Sequence, residues 1–141
     1  AIVREGTDVT IVGVQKMVHT ALDAADALNE VGVSAEVIDP RTYSPLDTDT
    51  ILASVAKTGR LVIVDESHPR CSLATDISAL AAEHGFDRLL APVKMVTGAH
   101  SPVPFSPPLE DHYLPSTKRI VEAVMSTVNH QGRTGNTAVT A

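Results

Sequence analysis

Residues 8–39 read DVTIVGVQKMVHTALDAADALNEVGVSAEVID, and the periodicities inside this stretch decide the fold. Asp8–Val14 is a short apolar run rich in β-branched residues, the pattern of a buried strand. From Met17 the period changes. Met17, Val18, Ala21, Leu22, Ala25 and Leu28 share one helical face, while Asp23, Asp26 and Glu30 lie away from it. Gly32 supplies a left-handed cap, and Ala35–Asp39 is a second strand stopped by Pro40. Outward from this unit the alternation continues: a helix over Asp47–Lys57 closed near Gly59, and a third strand over Arg60–Glu66. A helix over Leu73–His84 follows, N-capped by Ser72 and ended by Gly85, then a fourth strand over Val93–Thr97. Ser116 caps a last helix, Thr117–Val128. Strands alternating with helices across short connections imply right-handed crossovers and a mostly parallel sheet covered on both faces.

The 141 residues, 43% hydrophobic, suit one domain with a sizeable core. Aromatics are only 3% and Trp is absent, so Ala, Val, Ile and Leu must fill the interior. That composition favours the tight layers of an α/β fold. A net charge of −6 without a basic patch argues against nucleic acid and against anionic membranes. One cysteine, Cys71, excludes an internal disulfide and fits a reducing, cytoplasmic setting. No apolar run approaches the ~20 residues of a membrane span. The opening residues 1–7, AIVREGT, lack Met and read as an interdomain linker remnant, so the chain is expected to be a fragment of a longer polypeptide. The domain is expected over residues 8–128, and 129–141 as a mobile polar tail.

In open α/β sheets function sits beyond the carboxyl ends of the strands. Those ends carry Val14–Lys16, Asp39–Pro45, Asp65–Ser72 and Thr97–Pro108. The first turn, VGVQKMVH, has neither GxGxxG nor GxxxxGK[ST], and Gly13 allows close packing and little more. No two histidines stand at the i, i+4 spacing of a helical zinc pair. Cys71, beside Arg70 and before a helix start, has two features that lower a thiol pKa; a small side chain packing a turn explains it as well. Asp65 and Glu66 are adjacent in a strand and point to opposite faces, so they cannot serve one substrate as acid and base; one is expected to cap the loop and the other to meet a neighbouring chain. In DPRTYSPLD, residues 39–47, Arg41 offers a planar fork either to an interface or to an internal turn tie.

The segment Thr97–Pro115, TGAHSPVPFSPPLEDHYLP, holds prolines at 102, 104, 107, 108 and 115. Proline has no amide donor, and the segment is expected to be neither a helix nor a central strand. Val103, Phe105, Leu109, Tyr113 and Leu114 thread through it, so it is expected to pack on something, not necessarily in this chain. The interface candidates on these edges are Arg41, Tyr43, Glu66, His68, Arg70, His100, Phe105, Glu110 and Asp111. No catalytic residue, metal ligand or cofactor contact is assigned. Two classes of function remain: an assembly domain of a larger enzyme, or a stand-alone α/β module that binds a small ligand.

The ordered set REGTDVTIVGVQKMVHTAL, SAEVIDPRTYSPLD, TGRLVIVDE, APVKMVTG and SPVPFSPPLEDHYLP resembles one family over about residues 4–128. It looks like the carboxyl-terminal domain of the beta subunit of thiamine-diphosphate-dependent 2-oxo acid dehydrogenases, the transketolase C-terminal-like domain. The turn HPRCSLATDISA, where many relatives carry a glycine-rich GGFGAEI-like turn, and the run PVPFSPPLED are similar to the acetoin dehydrogenase branch. The resemblance implies a three-layer α/β/α sandwich with a five-stranded, mostly parallel sheet and one antiparallel strand. It implies an oxidoreductase acting on acetoin first, with pyruvate or a branched-chain 2-oxo acid open, and working as a heterotetramer of alpha and beta subunits that passes an acyl group to a lipoyl acyltransferase core. Thiamine diphosphate and magnesium would bind between the alpha subunit and the amino-terminal domain of beta, so this fragment alone is expected to be inert. The same resemblance leaves room for self-association, since in the family beta meets beta.

Overall fold

The computed structural model describes residues 1–130. A five-stranded sheet runs in the order β1-β3-β2-β4-β5, with β1 Ile2–Arg4, β2 Val9–Gly13, β3 Ala35–Ile38, β4 Leu61–Asp65 and β5 Lys94–Thr97. The β3, β2, β4 and β5 pairings are parallel, and β1 lies antiparallel on β3. Residues 1–7 are thus not simply linker, a correction to the sequence reading: Ile2 pairs with Ile38 and Arg4 with Val37. A run of three residues, two of them exposed, carries too little periodicity to be read as a strand. The expected tail, from Asn129, falls mostly outside the described residues.

Helices α1 (Met17–Glu30) and α5 (Thr117–Val128) cover one face, and α2 (Thr48–Thr58) and α3 (Leu73–His84) the other. Alternation within each strand builds both cores. Val62 and Val64 face the α1/α5 layer, while Leu61 and Ile63 face α2 and α3. Gly13 makes the first layer possible: a Cβ there would lie 2.7 Å from Val18 Cα and 2.8 Å from Val18 N. The caps agree with the sequence at most ends. Gly32 and Gly59 take positive φ of 80° and 70°, Asp47 accepts from Thr50 N at 3.2 Å, and Ser116 Oγ accepts from Arg119 N at 3.3 Å. At α3 the work passes to Thr75, whose hydroxyl accepts from Ser72 N at 3.1 Å and donates to Ser72 O at 2.6 Å, while the buried Ser72 hydroxyl has no partner among the described residues.

The second correction concerns the proline-rich segment. Residues Pro107–Tyr113 form a short helix, α4. Pro107 and Pro108 occupy its first turn, where amide hydrogens have no intrahelical acceptor and the fixed φ already suits the helix. Proline there starts a helix instead of breaking it. No helix among the described residues is long and apolar enough to cross a membrane.

Buried polar groups are concentrated on the α2 side. Thr10, the second residue of β2, is bonded to Ser54 at 2.6 Å and Thr58 at 2.7 Å. Glu36 has no exposed surface and pairs with Lys57, which also reaches Glu5 at 3.3 Å. Burial opposes the Glu36 charge, but the Lys57 hydrogen bond and charge, with Ser54 and Glu5 adding to them, outweigh it and hold the carboxyl below its ordinary range. The hydrogen bond to Glu36 raises Lys57 against the opposing effect of burial. The Glu36 contribution is therefore complete above the unfolded carboxyl value of about 4.3 and is lost as pH falls through the lower folded value. The Lys57 contribution is complete below about 10.4 and is lost as pH rises through the higher folded value. Urea midpoints followed downward from neutral pH should fall less steeply in Glu36→Gln than in the parent chain. Superimposable acid limbs would mean that this pair does not stabilise the fold.

Candidate functional site: a cleft at the carboxyl edge of the sheet

The site begins with Asp65, the last residue of β4. Its carboxylate is buried, accepting from Ser67 N at 2.9 Å and from Ala74 N at 3.4 Å, and so it ties the loop between β4 and α3 to the start of α3. Glu66 lines a cleft beyond it. Of the two acids, Asp65 is the one that caps the loop, as expected of one of the pair. Gly98 N donates to Ser67 O at 3.0 Å, joining the exit of β5 to the same loop. A Cβ at Gly98 would sit 2.7 Å from Glu66 O and 2.8 Å from the Tyr113 ring. The chain leaves the sheet through a gap only glycine fits.

Tyr113, the last residue of α4, is the pivot of the cleft and is 6% exposed. Its ring meets His68 edge-on with centroids 6.3 Å apart, and its hydroxyl lies 3.4 Å from His68 Nδ1. With the proton on Nδ1, His68 donates to the Ala99 carbonyl at 3.1 Å. His100 packs edge-on against His68 at 6.0 Å. Arg119, near the start of α5, closes the arrangement. Its guanidinium donates to Thr97 O at 2.8 Å and Leu114 O at 3.3 Å, the two ends of the proline-rich segment.

The result is a cleft of about 400 Å³ with Glu66, Ser67, His68 and Glu110 as its polar lining and Val103, Tyr113 and Leu114 as its apolar walls. A second hollow of about 260 Å³ is also lined by Tyr113, with Pro102, Pro104 and Leu109. Val103 and Leu109 are more than half exposed, and the Phe105 side chain is fully exposed. Neither Glu66 nor Glu110 has an ion-pair partner among the described residues. Two carboxylates beside apolar walls suit a basic group. They repel a diphosphate, so the residues of this cleft do not fit thiamine diphosphate.

Of the sequence candidates, Glu66, His68 and Glu110 meet in one cleft, with His100 against His68 and Phe105 at the tip of the adjoining loop. Asp111 lies in α4. Arg41 and Tyr43 occupy a separate turn at the same sheet edge, both exposed. Arg41 has φ of 60°; its amide donates to Asp39 Oδ1 at 3.0 Å, and its side chain, 68% exposed, stands 3.6 Å from Asp39 Oδ2. Arg70 is exposed in the β4–α3 loop. Next to it Cys71 has φ of 51° and an exposed thiol, so its side chain does not pack the turn. The sequence reading missed Gly98, Arg119 and the pivotal place of Tyr113. The Thr97-Gly98 pair at a strand end was the available signal for the first; nothing local marks Arg119, whose acceptors are five and 22 residues away.

An open, mostly parallel α/β sheet with a recognition cleft at its carboxyl edge is a class with many functions. Here the match is specific. The family described as transketolase, C-terminal domain, matches residues 1–120, and the chain belongs to it. It is 58% identical over 122 residues to the beta subunit of acetoin:2,6-dichlorophenolindophenol oxidoreductase from Bacillus subtilis, covering 86% of this chain and 36% of that protein. The corresponding subunit from Cupriavidus necator is 55% identical, with 90% and 38% covered. The mitochondrial pyruvate dehydrogenase E1 component subunit beta of Dictyostelium discoideum is 44% identical, with 85% and 34% covered. The chain thus spans about a third of the length of these relatives. Among solved structures, a split gene transketolase, described as an inactive beta4 tetramer, superposes with a TM-score of 0.79 at 27% identity, covering 91% of this chain and 40% of that one.

Gly98→Ala should push the Tyr113 ring off His68 and cost about 1–3 kcal/mol, the range for forced overpacking. Trp is absent and there are two tyrosines, so the near-ultraviolet circular dichroism reports on few rings. It should weaken while the far-ultraviolet spectrum is kept. An unchanged near-ultraviolet spectrum would mean that the ring is not held by this gap.

Proposed function

We propose that this chain is the carboxyl-terminal assembly domain of the beta subunit of a thiamine-diphosphate-dependent acetoin or 2-oxo acid dehydrogenase, with acetoin as first choice of substrate. The observation that carries the reading is the carboxyl edge itself. It presents a fully exposed Phe105 and half-exposed Val103 and Leu109 on a segment stiffened by proline and clamped by Arg119. Exposed apolar patches of this kind mark contacts with a partner. The high identity to acetoin-oxidising beta subunits supports the substrate choice.

In this reading the domain helps to hold a heterotetramer of two alpha and two beta subunits, which passes its acyl group to a lipoyl acyltransferase core. The cofactor and its magnesium lie between the alpha subunit and the amino-terminal half of beta. The reading includes a cytoplasmic location, supported by the lone exposed thiol of Cys71. It also includes self-association of the isolated chain through the same edge, supported by the related tetramer of beta chains.

Alone, the chain should show no turnover of acetoin or pyruvate when supplied with thiamine diphosphate and magnesium. Measurable turnover would sink the assignment of an assembly role. Arg41→Ala should shift the thermal midpoint of the chain little, since an exposed side chain contributes within about 0.5 kcal/mol. In a full-length beta subunit carrying this domain, the same change should weaken tetramer formation, as lost charge-assisted interface contacts cost about 2–5 kcal/mol when buried. The reverse pattern, a large fall in midpoint with assembly intact, would make Arg41 an internal tie.

A further inference from the structure

A hollow of about 700 Å³ lies away from the cleft, between the last turns of α3 and the approach to the edge strand β5. Its walls include Phe86, Leu89, Leu90 and Val93. Phe86 is 72% exposed and Leu90 60%. Backbone bonds hold this wall outward: Arg88 N donates to Gly85 O at 3.0 Å, Leu89 N to Phe86 O at 3.1 Å, and Leu90 N to Gly59 O at 2.8 Å. Asp87 is the one carboxylate of the lining, and it has no ion-pair partner among the described residues. An exposed apolar wall beside a free charge calls for a cover.

The chain itself supplies one at the right place. His130, which follows α5, lines the same hollow. Residues 131–141, QGRTGNTAVTA, continue from that point. Arg133 is their only charged side chain, and three residues reach at most roughly 10 Å, the scale of the hollow that His130 and Asp87 share. Gly132 and Gly135 allow the backbone to turn there. Ala138 and Val139 are small apolar groups for the wall. A tethered segment acts at an effective concentration on the order of millimolar, which a second copy of the chain or another protein must outcompete.

We infer that the hollow beside α3 is covered by the chain's own residues 131–141, with Ala138 and Val139 against Phe86 and Leu90 and with Arg133 on Asp87. The family match ends at residue 120, so the contact is an addition to the shared domain. It withdraws one apolar surface from association and leaves the carboxyl edge as the exposed one.

Trp is absent, so Phe86→Trp places a single fluorescent reporter on the exposed wall. In the 141-residue chain its emission should be blue-shifted and shielded from acrylamide, equally at every protein concentration. Ending the chain after His130 should shift the emission to the red and remove the shielding. D87R and R133E should each lose part of the shielding, and the double variant D87R/R133E, with the pair reversed, should recover it. Far-ultraviolet spectra identical to the parent confirm folding. A reading without Trp comes from trypsin, since cleavage follows the population of the open form: the cut after Arg133 should be slower in the parent than in Phe86→Asp. An exposed Trp in the complete chain, no change on truncation, or equal cleavage rates would overturn the inference. Shielding lost on dilution would give the hollow to a second copy and overturn the intramolecular contact. Charge variants as shielded as the parent would overturn the pairing of Arg133 with Asp87.

Discussion

Everything in this fold follows from one constraint: β2 and β4, paired in parallel at the centre of the sheet, have no solvent-facing side. Every residue of Val9–Gly13 and Leu61–Asp65 is buried. A sheet with two apolar faces needs two layers of helices, and parallel strands need crossovers long enough to provide them. Gly13 lets α1 approach the sheet closely enough to seal one layer, and Ile51, Val55, Ala74 and Ile77 seal the other. With both faces occupied, the ends of the strands are the remaining surfaces on which loops can be shaped, and the parallel arrangement gathers the carboxyl ends on one side.

The same constraint explains how polar groups enter the interior. Thr10 sits in β2, where nothing polar could remain unpaired without cost, and two hydroxyls of α2 bond to it. Glu36, one strand over, is held by Lys57 reaching in from α2, with Gly6 N a longer donor at 3.4 Å. Its Oε1 has no hydrogen-bond partner among the described residues, and a small cavity lined by Ile2, Thr50, Ala53 and Lys57 adjoins it. Lys57 also holds Glu5, which secures the short β1 segment to the body of the domain. That edge strand is bound by its antiparallel pairing to β3, with Arg4 also paired to Asp26 on α1.

Most of the fold was legible because its signals are local. Four of the five strands and four of the five α-helices among the described residues carry their own periodicity, and the capping residues Gly32, Asp47, Gly59, Ser72 and Ser116 stand at the ends they mark. The failures have physical reasons. The strand at Ile2–Arg4 has no pattern of its own and exists because β3 offers an edge. Helix α4 was hidden by its prolines, which exclude an interior helix but favour a helix start. The site was half visible. Glu66, His68, His100 and Glu110 stand out by chemistry on predicted loops, yet their convergence depends on Tyr113 folding back over Gly98, a contact between residues 15 apart in sequence and on His68 45 residues away.

What these loops contribute is best understood as the removal of freedom. A proline-rich segment with both ends tied to Arg119 has little conformational entropy left to lose. Its exposed apolar side chains are presented in nearly one arrangement, so ordering costs on association are small. Arg41 follows the same logic by a different device, since a strained backbone held by Asp39 fixes the direction of an otherwise flexible side chain. Catalytic clefts shelter reacting groups from water, whereas here the apolar groups face outward and the unpaired charges stand beside them. A rigid edge with outward-facing apolar groups supports the proposed assembly role. It also accounts for the sequence feature hardest to explain in a self-sufficient domain, five prolines between the last strand and the last helix.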